Sequence, residues 1–171
     1  MVNRRDGFTF CQFSQISSAD NDTTQINVEV STFHGQVIQS KYITAIIISE
    51  SSLDSIPSSI FEEWDISRLR VSNSKLNEVN KKTFKTASHL KYLDFLDTEI
   101  DVITSKSFKN AAELVEIAFE NSKVDKIAED AFVGLQNLKK ITITGSTFGD
   151  NEFLNKLPKS VETIVKWRFK F

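Results

Sequence analysis

An internal repeat of 23 or 24 residues constrains the fold of this chain more than any other feature of its sequence. An apolar residue marks the start of each repeat, and these starts are Ile43, Ile66, Leu90, Leu114, Leu138 and Val161. In the first four repeats, further apolar residues recur at the third, fifth, tenth, thirteenth and eighteenth positions after the start, and the last of these is always phenylalanine. Self-similarity at a fixed period of this length indicates a solenoid in which each repeat forms one structural unit.

The apolar residues of one repeat predict its local structure. After Leu90, the apolar Leu93 and Phe95 are separated by the polar Asp94, which is the period-two alternation of a β-strand. We expect one short strand per repeat, paired in parallel with the strands of the neighbouring repeats. The rest of the repeat would return on the outside, with its phenylalanine filling the space between the two sides. A single repeat cannot bury its apolar side alone, so stacking supplies the core.

These columns resemble those of leucine-rich-repeat proteins, and the resemblance extends from Ile43 to about Ile164. The 24-residue period with a phenylalanine resembles the "typical" subfamily, and the segments 84–90 and 108–114 resemble secreted arthropod members of it. The resemblance implies an α/β-type solenoid, which is a curved horseshoe whose short parallel strands line a concave face.

The sequence departs from the family at the ninth position of the repeat, counting the apolar start as the first position. The family usually has asparagine there. Here the column consists of hydroxyl residues, which are Ser51, Ser74, Thr98, Ser122 and Ser146. Because a hydroxyl forms fewer hydrogen bonds than an amide, we expect this column to hold the neighbouring loop backbone less tightly than asparagine would. Cysteine-rich caps, which are common in extracellular relatives, are absent. The single cysteine, Cys11, is expected to be buried near the N-terminus, with linkage to another chain as the alternative.

Residues 1–40 do not follow the repeat, and we expect them to form an N-terminal cap on residues 41–171, which hold five to six repeats with the last ones degenerate. Within the cap, residues 25–30 alternate between polar and apolar side chains. His34 and Gly35 are a plausible turn, and residues 36–38 are a plausible second strand. The cap is therefore predicted to contain a β-hairpin.

The last strand has two alternative registers. Counting 24 residues from the preceding strand places Val165 and Trp167 inward, whereas counting 23 places Val161 and Ile164 inward, and the sequence does not choose between them. Basic residues alternate with aromatic ones here, which is typical of an edge strand protected against unwanted pairing. The alternative is a homo-oligomer formed through an edge that contains Trp167, Phe169 and Phe171.

The sequence contains no recognisable catalytic, metal-binding or cofactor-binding motif. Its two histidines, His34 and His89, have no Cys, His or carboxylate partner at a motif spacing. We therefore expect no enzymatic activity, no metal and no cofactor. The formal net charge of -2 does not favour a nucleic-acid or anionic-membrane partner, and no apolar stretch is long enough to span a bilayer. Asn21 begins an Asn-Asp-Thr sequon and is a candidate glycosylation site.

The residues between the inward anchors of each strand are the candidates for binding. They are expected on the concave face, because side chains alternate along a strand. Their charges are banded, with two arginines beside an acidic patch and then two lysines, Lys139 and Lys140. The alternative is a set of ordinary solvated residues that offset one another's charge. The predicted partner-binding residues are Arg68, Arg70, Tyr92, Asp94, Leu96, Asp97, Glu116, Glu120 and Lys140.

The resemblance implies a protein-binding recognition module, secreted or part of a receptor ectodomain, with a role in innate immunity or cell-surface recognition. The alternative is an intracellular, cytoplasmic scaffold or adaptor that associates through its C-terminal edge strand. The absence of a signal peptide from the sequence and the single cysteine favour this second hypothesis.

Overall fold

The computed structural model describes residues 2–5, 8–17 and 44–166. In this part of the chain the strands, in chain order, are β1 (Val2–Arg5), β2 (Phe8–Ser14), β3 (Ala45–Ser49), β4 (Ser52–Leu53), β5 (Arg68–Ser72), β6 (Lys75–Val79), β7 (Tyr92–Leu96), β8 (Glu99–Ile103), β9 (Glu116–Glu120), β10 (Lys123–Ile127), β11 (Lys140–Thr144), β12 (Thr147–Phe148) and β13 (Glu162–Lys166). One short helix, α1 (Ile60–Glu63), and a 3-10 helix at Glu152–Lys156 complete the regular structure of the described residues.

The strands form two sheets that run along the solenoid. The long sheet has eight strands in the order β1-β2-β3-β5-β7-β9-β11-β13, and the short sheet has five in the order β12-β10-β8-β6-β4. All neighbours are parallel except β1 and β2. The predicted leucine-rich-repeat solenoid is confirmed. The return segments of the repeats form a second parallel sheet. The helical part of the predicted α/β solenoid is therefore limited to two short helices among the described residues.

A sharp corner separates the long sheet from the short sheet in each repeat. The corner residue has a positive φ of 47° to 64° in the repeats from β3 to β11, and these residues are Glu50, Asn73, Asp97, Asn121 and Gly145. The backbone N–H of each corner residue donates a hydrogen bond to the carbonyl of the last residue in the next long-sheet strand, as Asp97 does to Glu120. Asn, Asp and Gly tolerate this left-handed conformation better than other residues, so this column is selected by backbone geometry.

Each hydroxyl of the column at the ninth position lies within hydrogen-bond distance of the carbonyl two residues before it, and most of them also accept a backbone N–H from the preceding turn of the solenoid. Ser122 is representative: its Oγ accepts the backbone N–H of Thr98 at 3.1 Å, and it lies 3.0 Å from the carbonyl oxygen of Glu120, to which it can donate. The backbone N–H of Ser122 is in turn bound by Ser146 Oγ at 2.9 Å. All five residues of this column are buried. Serine and threonine thus satisfy backbone groups that the family usually satisfies with asparagine.

The core lies between the two sheets and contains a row of stacked phenylalanines. The rings of Phe61, Phe84, Phe108, Phe132 and Phe153 follow one another with centroid distances of 5.9, 5.4, 5.1 and 5.5 Å. These separations are those of favourable aromatic pairs. The four phenylalanines that were predicted from the repeat are therefore confirmed as core. Phe153 of the 3-10 helix, which the repeat did not predict, extends the row.

The structure differs from the sequence-based expectation at both ends of the solenoid. The observed N-terminal hairpin is β1 with β2, which lies within residues 2–14, whereas the hairpin predicted at residues 25–38 lies outside the described residues. Strand β2 also pairs in parallel with β3 and so extends the long sheet beyond the first repeat. At the C-terminus, β13 pairs Thr163 with Ile141 and Val165 with Ile143. The paired residues are 22 positions apart in the sequence, which is less than either alternative, and one residue from each alternative, Val161 and Val165, packs in or against the core.

Candidate functional site

The predicted binding residues lie in register on one face of the long sheet. On β7, β9 and β11 the residues that alternate with the buried anchors are partly or fully exposed, as Tyr92, Asp94 and Leu96 are on β7, whereas Ala45 and Ser49 on β3 and Ser72 on β5 are buried. We call this surface, opposite the core, the open face. One row across it joins Arg68, Tyr92, Glu116 and Lys140, a second joins Arg70 and Asp94, and a third joins Leu96 and Glu120.

Asp94 joins the two arginines of the open face into one cluster. Its Oδ2 atom lies 3.0 Å from Arg68 Nη1 and 3.1 Å from Arg70 Nη2. The Asp94 side chain is only 18% exposed, whereas those of Arg68 and Arg70 are 41% and 43% exposed. One carboxylate therefore restrains two guanidinium groups that still face solvent.

Tyr92 restrains the same cluster from a second direction. The Cζ atom of Arg68 lies 4.5 Å from the centroid of the Tyr92 ring, which is the geometry of a cation–π contact. Arg68 is thus held by an aromatic ring and by a carboxylate from the same strand, β7. We call Arg68, Arg70, Tyr92 and Asp94 the arginine cluster.

The remaining charges of the predicted site are not joined to the arginine cluster. Glu116, Glu120 and Asp97 are exposed, and within residues 2–5, 8–17 and 44–166 none of the three forms an ion pair. Asp97 is a corner residue, so it lies at the edge of the open face. Lys140 is half-buried on β11 beside Glu116. The open face therefore has a restrained basic region on β5 and an unneutralised acidic region on β9.

The bridging role of Asp94 could not be identified from the sequence, which placed this residue in the acidic patch beside the arginines. The repeat predicts that Arg70 and Asp94 lie side by side on neighbouring strands. It does not predict that Arg68, which lies beside Tyr92, also contacts the Asp94 carboxylate. The open face also extends to β2, where Gln12 Nε2 donates to Ser49 Oγ at 3.1 Å. Sequence analysis missed this extension because residues before Ile43 do not follow the repeat.

Several predicted residues lie outside the described part of the chain. They are Asn21, Trp167, Phe169 and Phe171. His34 also lies outside it. His89 is exposed at the start of β7's repeat, and its Nε2 lies 3.7 Å from Asp65 Oδ1.

The clear pKa shifts in the structure belong to groups away from the open face. On the short sheet, the hydrogen bond and charge of Asp125 raise the pKa of Lys123, and the two groups are 2.7 Å apart. At the 3-10 helix, the hydrogen bond to the carboxyl group of Glu129 and the charge of Asp150 raise the pKa of Glu152. The described residues include no group of three or more His, Cys, Asp and Glu side chains arranged to hold a metal ion. The helices of the described segments lack the length and apolar character that crossing a membrane requires.

Two solved structures show the same fold. A chain of the Toll–Spatzle complex, described as a molecular hub in Drosophila development and innate immunity, matches with a TM-score of 0.55 and 16% identity over 61% of this chain. A chain of the TLR13–ssRNA13 complex matches with a TM-score of 0.52 and 13% identity over 72% of this chain. At these identities the similarity is one of fold, and the matches cover only 14% and 21% of the two larger chains. No curated protein sequence matches this chain.

The repeat itself matches a known family. The sequence profile described as "BspA type Leucine rich repeat region" matches residues 31–159 with six copies. That range covers most of the chain and includes every repeat from β3 to β11. The chain therefore belongs to the BspA-type leucine-rich-repeat family.

Proposed function

We propose that this chain is a recognition module, not an enzyme, and that it binds a protein partner on the open face of the long sheet. The observation that carries this proposal is the arginine cluster. Its two guanidinium groups are fixed by Asp94 at 3.0 and 3.1 Å and by the ring of Tyr92 at 4.5 Å, while both remain more than a third exposed. Restraining a long side chain before binding reduces the entropy that is lost on association.

The cluster has the composition of a binding hot spot. Arginine and tyrosine are enriched among the residues that dominate binding energy at protein interfaces. A guanidinium group has five N–H donors, and Asp94 uses one nitrogen from each arginine. The remaining donors are free to bind a carboxylate of the partner, so we infer an acidic group on the partner opposite β5.

Strand β9 adds the opposite charge and so would fix the orientation of the partner. Glu116 and Glu120 on β9 lie two strands from the arginines of β5. Strands in a sheet are about 4.8 Å apart, so the two charge regions are separated by about 10 Å. A partner whose acidic and basic groups have this spacing would bind in one orientation, because reversal would place like charges together.

The test is affinity capture from the fluid and lysate of the source tissue, using three forms of the full chain as bait. The site variant is Arg68→Gln/Arg70→Gln. The matched control is Lys75→Gln/Lys123→Gln, which removes the same charge from two ion-paired lysines of the short sheet. Hot-spot truncation typically weakens binding by about 2 kcal/mol, which is roughly 30-fold. A protein retained by the wild type and by the control but lost by the site variant would support the proposal, and equal retention by all three would contradict it.

We also propose that the module acts outside cells, in innate immunity or cell-surface recognition. The support is the fold shared with a chain of the Toll–Spatzle complex and the sequon at Asn21. The measurement is immunoblotting of tissue fluid and cell lysate before and after glycosidase treatment. Protein found in the fluid with a glycosidase-sensitive mobility is the expected result, and protein confined to the lysate would contradict the extracellular assignment.

A second candidate function, an oligomeric scaffold, has one observation in its favour. Within the described residues, β13 pairs with β11 only and is the terminal strand of the long sheet. The aromatic residues proposed for this edge follow it directly at positions 167–171. Light scattering over a range of protein concentrations decides this point, because a monomer at every concentration would remove the edge-dimer hypothesis.

A further inference from the structure

The side of the solenoid between the short sheet and the next long-sheet strand has an array of exposed lysines in two neighbouring repeats. Its members are Lys81, Lys82, Lys85, Lys106 and Lys109, and we call them the lysine array. They flank Phe84 and Phe108 in the sequence, and the buried rings of these two residues have centroids 5.4 Å apart. That distance sets the spacing of the two repeats at this level.

The local backbone gives both repeats the same arrangement of charges. The backbone N–H of Lys85 donates to the carbonyl of Lys82, and that of Lys109 donates to the carbonyl of Lys106, each at 3.1 Å. Each repeat therefore has a hydrogen-bonded turn with one lysine at each end, although Lys106 has a positive φ of 53° and its equivalent Lys82 does not. Because the repeats stack, the four lysines form a two-by-two grid, and Lys81 adds a fifth positive charge beside it.

The charges of the array are not neutralised within the described part of the chain. No lysine of the array forms an ion pair there, although lysines elsewhere do, such as Lys75 with Asp101 and Lys156 with Glu129. Five like charges at this spacing repel one another, and a bound polyanion would relieve the repulsion.

Acidic residues limit the array on both sides. In the preceding repeat, Glu62 occupies the position equivalent to Lys85, because each directly follows the repeat's phenylalanine. In the following repeat, Glu129 and Asp130 occupy the positions equivalent to Lys81 and Lys82. The basic surface is therefore a strip about two repeats wide, which is about 10 Å at the usual spacing of strands.

The width and composition of this strip decide which polyanion it fits. A membrane surface or a nucleic-acid duplex is wider than the strip, so its phosphates would also meet the flanking carboxylates. Binding of single-stranded nucleic acid relies on exposed aromatic side chains for stacking, and Phe84 and Phe108 are fully buried here. A single polysaccharide chain that carries sulfate groups has the required narrow form and dense charge. We propose that the lysine array binds a linear sulfated polysaccharide.

This site is separate from the open face and does not depend on the protein partner proposed above. The test uses calorimetric titration of the full chain with a size-defined heparin oligosaccharide, and with the same oligosaccharide after desulfation. The array variant is Lys82→Gln/Lys85→Gln/Lys106→Gln/Lys109→Gln. The control variant is Lys75→Gln/Lys91→Gln/Lys123→Gln/Lys156→Gln, which removes the same charge from four ion-paired lysines outside the array.

We expect the wild type and the control to bind the sulfated oligosaccharide, with affinity that falls as salt rises. The loss of four exposed charge contacts should weaken binding by roughly tenfold or more in the array variant. Desulfation should abolish binding. Three results would overturn the proposal: an absence of binding by the wild type, an equal loss in the control variant, or tighter binding of single-stranded RNA or phosphatidylserine vesicles than of the oligosaccharide. Circular dichroism of both variants verifies that they remain folded.

Discussion

Removing one hydroxyl group from the column at the ninth position tests whether this column stabilises the solenoid. In Ser122→Ala, the backbone N–H of Thr98 loses the acceptor that lies 3.1 Å away. Thr98 is 1% exposed, so water cannot replace the lost oxygen without a local opening of the corner. A buried donor left without a partner costs about 1–3 kcal/mol. The donation from Ser122 to the carbonyl of Glu120 is also lost, but that carbonyl still accepts the N–H of Asp97.

We therefore expect Ser122→Ala to lower the free energy of unfolding by about 2 kcal/mol, which corresponds to a fall in Tm of about 4–8 °C for a chain of this size. Urea denaturation followed by circular dichroism measures the first quantity, and a thermal scan measures the second. The matched control is Ser105→Ala, which removes an exposed hydroxyl bound to Asp130 at 2.8 Å and should change stability by less than about 0.5 kcal/mol. If both variants lost the same stability, or neither lost any, the reasoning about buried donors in the corner would be wrong.

Two further predictions concern the core and the acidic group at the 3-10 helix. Phe108→Ala removes a fully buried ring and should lower the free energy of unfolding by about 3–5 kcal/mol. Phe148→Ala removes a partly exposed ring and should lower it less. Urea denaturation compares the two variants, and a larger loss of stability in Phe148→Ala would contradict this prediction. Glu129→Gln should lower the pKa of Glu152, because the hydrogen bond to the Glu129 carboxyl group is the main cause of its raised pKa. Since a raised pKa means tighter proton binding in the folded state, this group stabilises the fold below its unfolded pKa, and the contribution disappears as pH rises through the folded pKa. An NMR titration of the Glu152 carboxyl carbon in both proteins measures the shift, and an unchanged pKa would refute the assignment.

The sequence predicts strands β3, β5, β7, β9 and β11 of the long sheet well because the apolar residues there alternate with period two. In β7 the buried Leu93 and Phe95 flank the partly exposed Asp94, so the strand and its open face both follow from the pattern. The core phenylalanines of the first four repeats are equally predictable, because they recur at one position of the repeat and the stacking of repeats buries that position.

The short sheet could not be predicted in the same way, since its buried residues are three positions apart. In β6 the buried residues are Leu76 and Val79, which is not a strand periodicity. The structure gives the reason: β6 and β8 pair on both sides of Asn77 and Asp101, but these two residues are absent from the pairing. The strand is irregular at that point, and the irregularity changes which side of the chain faces the core.

The residue types of the corner column have a backbone explanation that the sequence analysis did not identify. One of its residues, Asp97, was predicted to be a partner-binding residue, and that prediction stays open. Asn, Asp and Gly fill four of its five positions from β3 to β11, and their common property is tolerance of positive φ. Asp97 therefore has a backbone role that is sufficient to explain its residue type.

The arginine cluster shows why net charge describes the open face poorly. Arg68 and Arg70 carry two positive charges, and Asp94 offsets one of them within the cluster. An incoming carboxylate does not need to displace Asp94, because each arginine retains donors that the internal ion pairs do not use. The internal carboxylate instead fixes where those donors lie, so an acidic partner gains from position as well as from charge. For this reason Asp94→Asn, which keeps the size of the side chain and removes its charge, should raise the net positive charge of the cluster but leave the arginines less well placed. Any gain in partner association rate should then come with faster dissociation.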